Sequence, residues 1–185
     1  MTKMRNSTKG EYGINYEVNN ADIRNFQELL NLRNSQLAAV KEGFDVPEHK
    51  MEFVKNIRGV DFINDSAAEN ANGIYLALSN ITKPVTWITS FTQWNNIDVE
   101  LLQLIIRKVN SIIFYGEEDE LTRNFIDALN IRRDRSTDLE VAVRTAFYTS
   151  SQDEAVLFCP GTPASGKFEN YAERGEEFKQ SVAQL

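Results

Sequence analysis

The sequence predicts an α/β domain: a Rossmann-like, mainly parallel twisted sheet of about six strands with helices on both faces, preceded by a short helical segment. Two observations carry this. After Pro47, short β-branched and aromatic runs alternate with longer runs whose apolar residues recur at helical spacing. Repeated strand and helix units of this kind close into a parallel sheet covered on both faces. Length agrees, because 185 residues with 42% hydrophobic and 25% charged content suit one soluble domain with a sizeable core and a short extension.

Residues 1–20 are polar with little periodicity and read as a mobile arm. Residues 21–47 read as a short helical segment, in which Ile23, Phe26, Leu29, Leu30, Leu37, Ala38 and Val40 fit two helices broken near Asn34 and ended by Gly43. The main domain is residues 48–185. It opens with strands at 52–57 and 60–63 joined by a tight turn at Arg58-Gly59. A helix over 67–78, capped by Asp65 or Ser66, leads to a strand at 85–89. The helix over 98–109 carries Leu101, Leu102, Ile105 and Val109 on one stripe, and a strand follows at 111–115. Residues 117–129 form a helix whose acidic first turn suits the positive end of the helix dipole. A brief strand at 131–133 precedes Thr137-Asp138-Leu139-Glu140, a capping box opening a helix to about Phe147. The last strand is 155–159, and Phe168, Tyr171, Phe178, Val182 and Leu185 stripe the last helix.

Charge and cysteine usage exclude several classes. A net charge of -7 with scattered Lys and Arg argues against a nucleic-acid or anionic-membrane surface. Cys159 is the single cysteine, which rules out an intrachain disulfide and the usual cysteine metal clusters and fits a reducing compartment. With neither a signal-peptide core nor a run of membrane-spanning length, the expected location is cytoplasmic.

Ligands of parallel sheets bind beyond the carboxyl ends of the strands. That rule selects four loops, residues 64–70, 90–96, 115–119 and 159–167. In the first, Asp65 is either a helix cap or a contact for a ribose hydroxyl or magnesium. His49 is the only histidine, and nothing in the sequence places a nucleophile beside it. Glu117-Glu118-Asp119-Glu120 reads as a solvated acidic helix start rather than a cation site. Trp87 and Trp94, with Phe91 between them, line either a pocket, an interface or the core.

The fourth loop has two readings. Gly161, four residues and Gly166-Lys167 follow a strand and precede a helix, the setting of a phosphate-binding loop. Phe168 occupies the place of the magnesium-binding hydroxyl, and Pro163 removes a backbone donor. The other reading comes from a resemblance carried by four blocks. Glu48-His49-Lys50-Met51-Glu52, Val60-Asp61-Phe62-Ile63-Asn64-Asp65-Ser66, Lys83-Pro84-Val85-Thr86-Trp87-Ile88 and Phe168-Glu169-Asn170-Tyr171-Ala172-Glu173-Arg174-Gly175-Glu176-Glu177-Phe178 stand in that order. From about residue 44 onward the chain resembles the C-terminal domain of the Mur ligases, most closely those that add D-glutamate to UDP-N-acetylmuramoyl-L-alanine.

The resemblance implies the Rossmann-like C-terminal fold, with residues 21–43 similar to the end of the family's central ATPase domain. That chemistry activates a carboxylate as an acyl phosphate for attack by an amine, so cationic groups must offset charge in the site. The family's ATP-holding Gly-Lys-Thr loop and UDP-binding domain have no counterpart in this sequence, so no complete ligase is expected. Asp65, Asn64, His49 and Lys50 match nucleotide-facing positions. The former amino-acid pocket is altered: Ala67 and Trp94 replace lysines, Glu69 a threonine, Ala164 a serine and Tyr171 a phenylalanine, while Ser165 and Lys167 lie beside them. The expectation is a non-catalytic binding or regulatory module acting on a peptidoglycan precursor or a Mur enzyme, without a cofactor of its own and without metal. The alternative is one part of a split D-glutamate-adding ligase, with ATP and magnesium on another chain.

Overall fold

The computed structural model describes residues 47–185, which form one compact unit. The sequence readings for residues 1–46, the polar arm and the two short helices, lie outside the described residues. Six strands run β1 (Glu52–Ile57), β2 (Val60–Asn64), β3 (Val85–Thr89), β4 (Val109–Tyr115), β5 (Arg132–Ser136) and β6 (Ala155–Phe158). The helices between and after them are α1 (Ala71–Asn80), α2 (Val99–Lys108), α3 (Glu120–Ala128), α4 (Leu139–Thr149) and α5 (Tyr171–Ala183). In space the order is β1-β2-β6-β3-β4-β5, antiparallel between β1 and β2 and parallel elsewhere.

Every residue of β3 and β6 is buried, as expected for inner strands covered on both faces. Alternation divides their side chains between two cores. Trp87 and Leu157 join Leu78, Leu101 and Ile105 on the α1–α2 side, whereas Ile88, Val156 and Phe158 join Val143, Phe178 and Val182 on the α4–α5 side. Burying each such large side chain contributes roughly 1.5–3 kcal/mol. Trp87 also donates its Nε1 hydrogen to the Cys159 carbonyl at 2.8 Å, so the indole is buried without losing its hydrogen bond. The β1–β2 hairpin has the expected two-residue turn. Arg58 and Gly59 have φ of 52° and 86°, the left-handed pair that matches the twist of the flanking strands.

Five boundaries differ from the sequence reading. The first helix begins at Ala71, and its cap is Asn70, whose side chain accepts from the Gly73 N–H, rather than Asp65 or Ser66. Ala67 cannot join it, because its N–H donates to the His49 carbonyl at 3.0 Å. Helix α3 starts at Glu120 under an Asp119 cap, since Glu117 and Glu118 are drawn away by Arg135 and Arg133. The strand read at 131–133 is Arg132–Ser136, an edge strand whose charged Arg-Arg-Asp-Arg-Ser run shows no apolar alternation. Asp138, not Thr137, caps α4. In the last helix, Phe168 precedes the first turn, and Asn170 caps it by accepting from Ala172 and Glu173.

Candidate functional site

Two groups of polar residues meet at the carboxyl end of the sheet: an enclosed knot under α5 and an open cleft beside it. The knot begins with the turn before β1. His49 is 6% exposed, and its Nδ1 lies 3.0 Å from Asn64 Nδ2. Asn64 Oδ1 accepts from the Ser66 N–H at 3.2 Å, which orients the amide so that its nitrogen faces the imidazole. An amide nitrogen only donates, so Nδ1 accepts and the ring proton belongs on Nε2. Asn64 Nδ2 also reaches Glu52 Oε2 at 3.1 Å.

Burial pushes the Glu52 carboxyl up. The His49 N–H, Lys179 and Asn64 outweigh burial and hold it below its ordinary value. Asp65 shows the opposite balance: burial raises its carboxyl despite hydrogen bonds from the Met51 N–H and the Cys159 thiol and the charge of Lys50. Burial, then the Asp65 charge, pushes the Cys159 thiol well up, so this cysteine is an enclosed core group. His49 and Met51 have φ of 66° and 49°, left-handed values that cost about 1 kcal/mol or more each and are held by these contacts. Helix α5 seals the knot through Gly175, where a Cβ would lie 2.3 Å from His49 Nδ1 and 2.4 Å from Ser66 Oγ.

Of the four nucleotide-facing candidates, His49 and Asn64 are hydrogen-bonded to each other, Asp65 is buried beside them with its carboxylate on Met51, and Lys50 is exposed. Asp65 holds Met51 rather than a helix terminus.

The cleft measures about 750 Å³. Its walls are Ser90 after β3, Tyr115 at the end of β4 and Gly116 after it, Thr137 after β5, Thr162 and Lys167 after β6, and Arg174 of α5. Three of the four loops chosen from the sequence thus converge. The fourth joins them through Arg174, 3% exposed, whose Nη2 donates to the carbonyls of Ser66 at 2.9 Å and Thr162 at 3.0 Å. Burial lowers the pKa of its guanidinium against the counter-pull of Glu69. Burial also pushes the Tyr115 hydroxyl up, against Lys167 and with Glu177 and Asp138.

The residues that the resemblance assigns to an altered amino-acid pocket take different places in the structure. Trp94 is 3% exposed in the core, stacked on Phe125 at 4.9 Å with Phe91 and Trp87 edge-on, so neither tryptophan lines a pocket. Ala67 and Glu69 are half-buried, and Ala164 packs against the α4–α5 core. Ser165 and Lys167 stand at the cleft, with Lys167 ion-paired to Glu177. Tyr171 turns toward His49, ring centroids 6.4 Å apart, and its carbonyl accepts from Ser66 Oγ. The phosphate-loop reading fails on geometry: α5 starts four residues after Lys167, and its first N–H groups are already held by Asn170. Arg174 and Thr137 were not selected from the sequence, and Tyr115 was selected only as the first residue of the third loop. The one signal for Arg174 was its place in the closing-helix block. Among the described residues, no group of three or more His, Cys, Asp or Glu could hold a metal ion, and no helix is long and apolar enough to cross a membrane.

No family model matches the chain. The fold and the converging loops nevertheless define a class, because the UDP-N-acetylmuramate-alanine ligase of Thermotoga maritima superposes with a TM-score of 0.51 at 10% identity, over 86% of this chain and 38% of that one. This is the α/β architecture of a Mur ligase C-terminal domain. Sequence narrows the class. UDP-N-acetylmuramoylalanine–D-glutamate ligase of Porphyromonas gingivalis is 29% identical over 158 residues, 85% of this chain and 35% of the relative. The enzyme of the same name from Pelodictyon phaeoclathratiforme is 34% identical over 157 residues, 84% and 33% respectively. The protein is a homologue of the C-terminal part of these D-glutamate ligases, and it spans about a third of the length of the curated relatives it matches.

Proposed function

We propose that this protein is a cytoplasmic binding or regulatory module of ligase ancestry in peptidoglycan-precursor synthesis, without ligation chemistry of its own. One observation carries the reading. The framework of the substrate end persists while the groups that would perform catalysis do not face it. Trp94 is in the core, Ala67 and Ala164 carry no charge or hydroxyl, His49 and Asn64 bond to each other, and Asp65 is buried on the Met51 N–H. A catalytic acid, base or charge clamp must reach the reacting atoms.

The split-ligase alternative draws on Asp65, His49 and Lys50, of which only Lys50 is exposed. Isothermal titration with UDP-N-acetylmuramoyl peptides, nucleotides and D-glutamate tests the first reading. Saturable heat with the precursor is expected, and uniformly flat titrations would leave only a protein partner, such as a Mur enzyme. For the alternative, product from an ATP- and magnesium-dependent ligation assay with a separately supplied ATPase core would displace the non-catalytic reading.

A further inference from the structure

Helix α2 is apolar on both sides. At about 100° per residue, its buried Leu101, Leu104 and Ile105 point into the core, and Val99, Gln103 and Ile106 share the opposite face. Val99 is 66% and Ile106 57% exposed, where the outer face of an amphipathic helix ordinarily carries polar groups. Half-buried Leu102 widens the strip on one flank.

The other flank carries charge. Glu100 in the first turn and Arg107 in the last line a groove of about 270 Å³ with Tyr75 and Ser79 of α1, a helix that has no charged residue. The remaining charged groups of this region are committed within the fold: Asp98 Oδ1 accepts the Leu101 N–H at 2.7 Å, and the Lys108 ammonium donates to the Leu78 and Ile81 carbonyls. Glu100 and Arg107 make no ion pair among the described residues.

Reversed upon itself, this face is complementary to its own copy. With a two-fold axis midway between Leu102 and Gln103, Val99 lies opposite Ile106 of the second copy. Glu100 and the second copy's Arg107 then fall on the same flank, about 3 Å apart along the helix axis. A parallel arrangement would instead set Glu100 against Glu100 and Arg107 against Arg107, like charges that repel.

We propose that the outer face of α2 is a self-association surface, on which two copies of this chain dock antiparallel through Val99, Gln103 and Ile106 with reciprocal Glu100–Arg107 ion pairs. One helix against one helix is a small contact, so the pairing is reversible and of moderate affinity. Its occupant is a second copy, whatever the ligand-binding end of the sheet holds.

Sedimentation equilibrium of the full chain from about 10 μM to about 1 mM, the range in which small interfaces exchange, tests the proposal. A reversible monomer–dimer equilibrium is expected. Ile106→Asp should weaken it about tenfold or more, because a charge then sits against the apolar centre. Glu100→Arg and Arg107→Glu should each weaken it severalfold, since like charges then meet across the axis. An equimolar mixture of those two variants should recover the wild-type affinity, because each supplies the charge the other lacks. All three positions are exposed, so each variant should keep the wild-type far-ultraviolet circular dichroism. A monomer throughout the range overturns the proposal, even if another protein is found on this face. So does a dimer indifferent to Ile106→Asp, or a mixture no tighter than either variant alone.

Discussion

The knot under α5 and the cleft beside it share one end of the sheet and the same helix, yet their polar groups serve opposite ends. In the knot, His49, Glu52, Asn64 and Ser66 satisfy one another and Asp65 takes the Met51 N–H, with all but Glu52 buried. In the cleft, Lys167, Thr137 and Ser165 face solvent with capacity to spare. The difference teaches that identity of side chain alone does not mark a site. A buried polar group without its partner costs about 1–3 kcal/mol, so the knot acts on stability, whereas exposed pairs are worth little to stability and remain free to exchange partners.

Substitutions should separate the two regions in order of effect. Gly175→Ala drives a methyl into His49 and Ser66 and should destabilise the fold by about 2–3 kcal/mol in urea denaturation. An unchanged midpoint would show that α5 does not seal the knot. Asn64→Leu strands the His49, Glu52 and Ser66 contacts at once and should cost about 2 kcal/mol by the same measurement. Asn70→Ala, which removes the cap of α1, should cost about 1 kcal/mol, with no comparable cap loss for Ser66→Ala.

The pH dependence sharpens the same contrast within the knot. The Glu52 carboxyl is held below its ordinary 4.5 when folded, so its stabilisation is present above that pH and is lost as pH falls through the lowered value. Asp65 is raised in the fold, so its contribution is greatest below its ordinary 3.8 and is lost as pH rises through the raised value. Glu52→Gln should therefore be less stable than wild type at neutral pH and converge with it in acid, while Asp65→Asn should compare more favourably with wild type at neutral pH than in acid. Thermal melts across pH 3–7 would show both trends, and parallel curves for the two variants would contradict them. Lys167→Met should be the smallest effect, within about 0.5 kcal/mol in stability, since its ion pair is half exposed.

Much of the fold was legible in order and kind. The hairpin at Arg58-Gly59, the inner strands around Trp87 and Val156, and the amphipathic helices all follow from local pattern. Strand β5 was shortened because an edge strand of arginines and aspartate carries no apolar alternation, and α1 was begun too early because Asp65 and Ser66 have the chemistry of a cap. The loops that build the cleft were legible from topology, since parallel strands aim their carboxyl ends at one face. Arg174 was not, because an arginine in an amphipathic helix has the pattern of a solvated face.

By itself, the sequence determined the α/β architecture, the kinship with D-glutamate ligases, and which loops reach the ligand-binding end, because periodicity, turn chemistry and residue order are local properties. Only the tertiary structure decided that Trp94 belongs to the core, that Asp65 holds the Met51 backbone, and that Arg174 joins two loops separated by nearly a hundred residues. Those outcomes depend on partners distant in the chain, and the free energy of a buried polar or aromatic group is set by the partners it meets rather than by its own type.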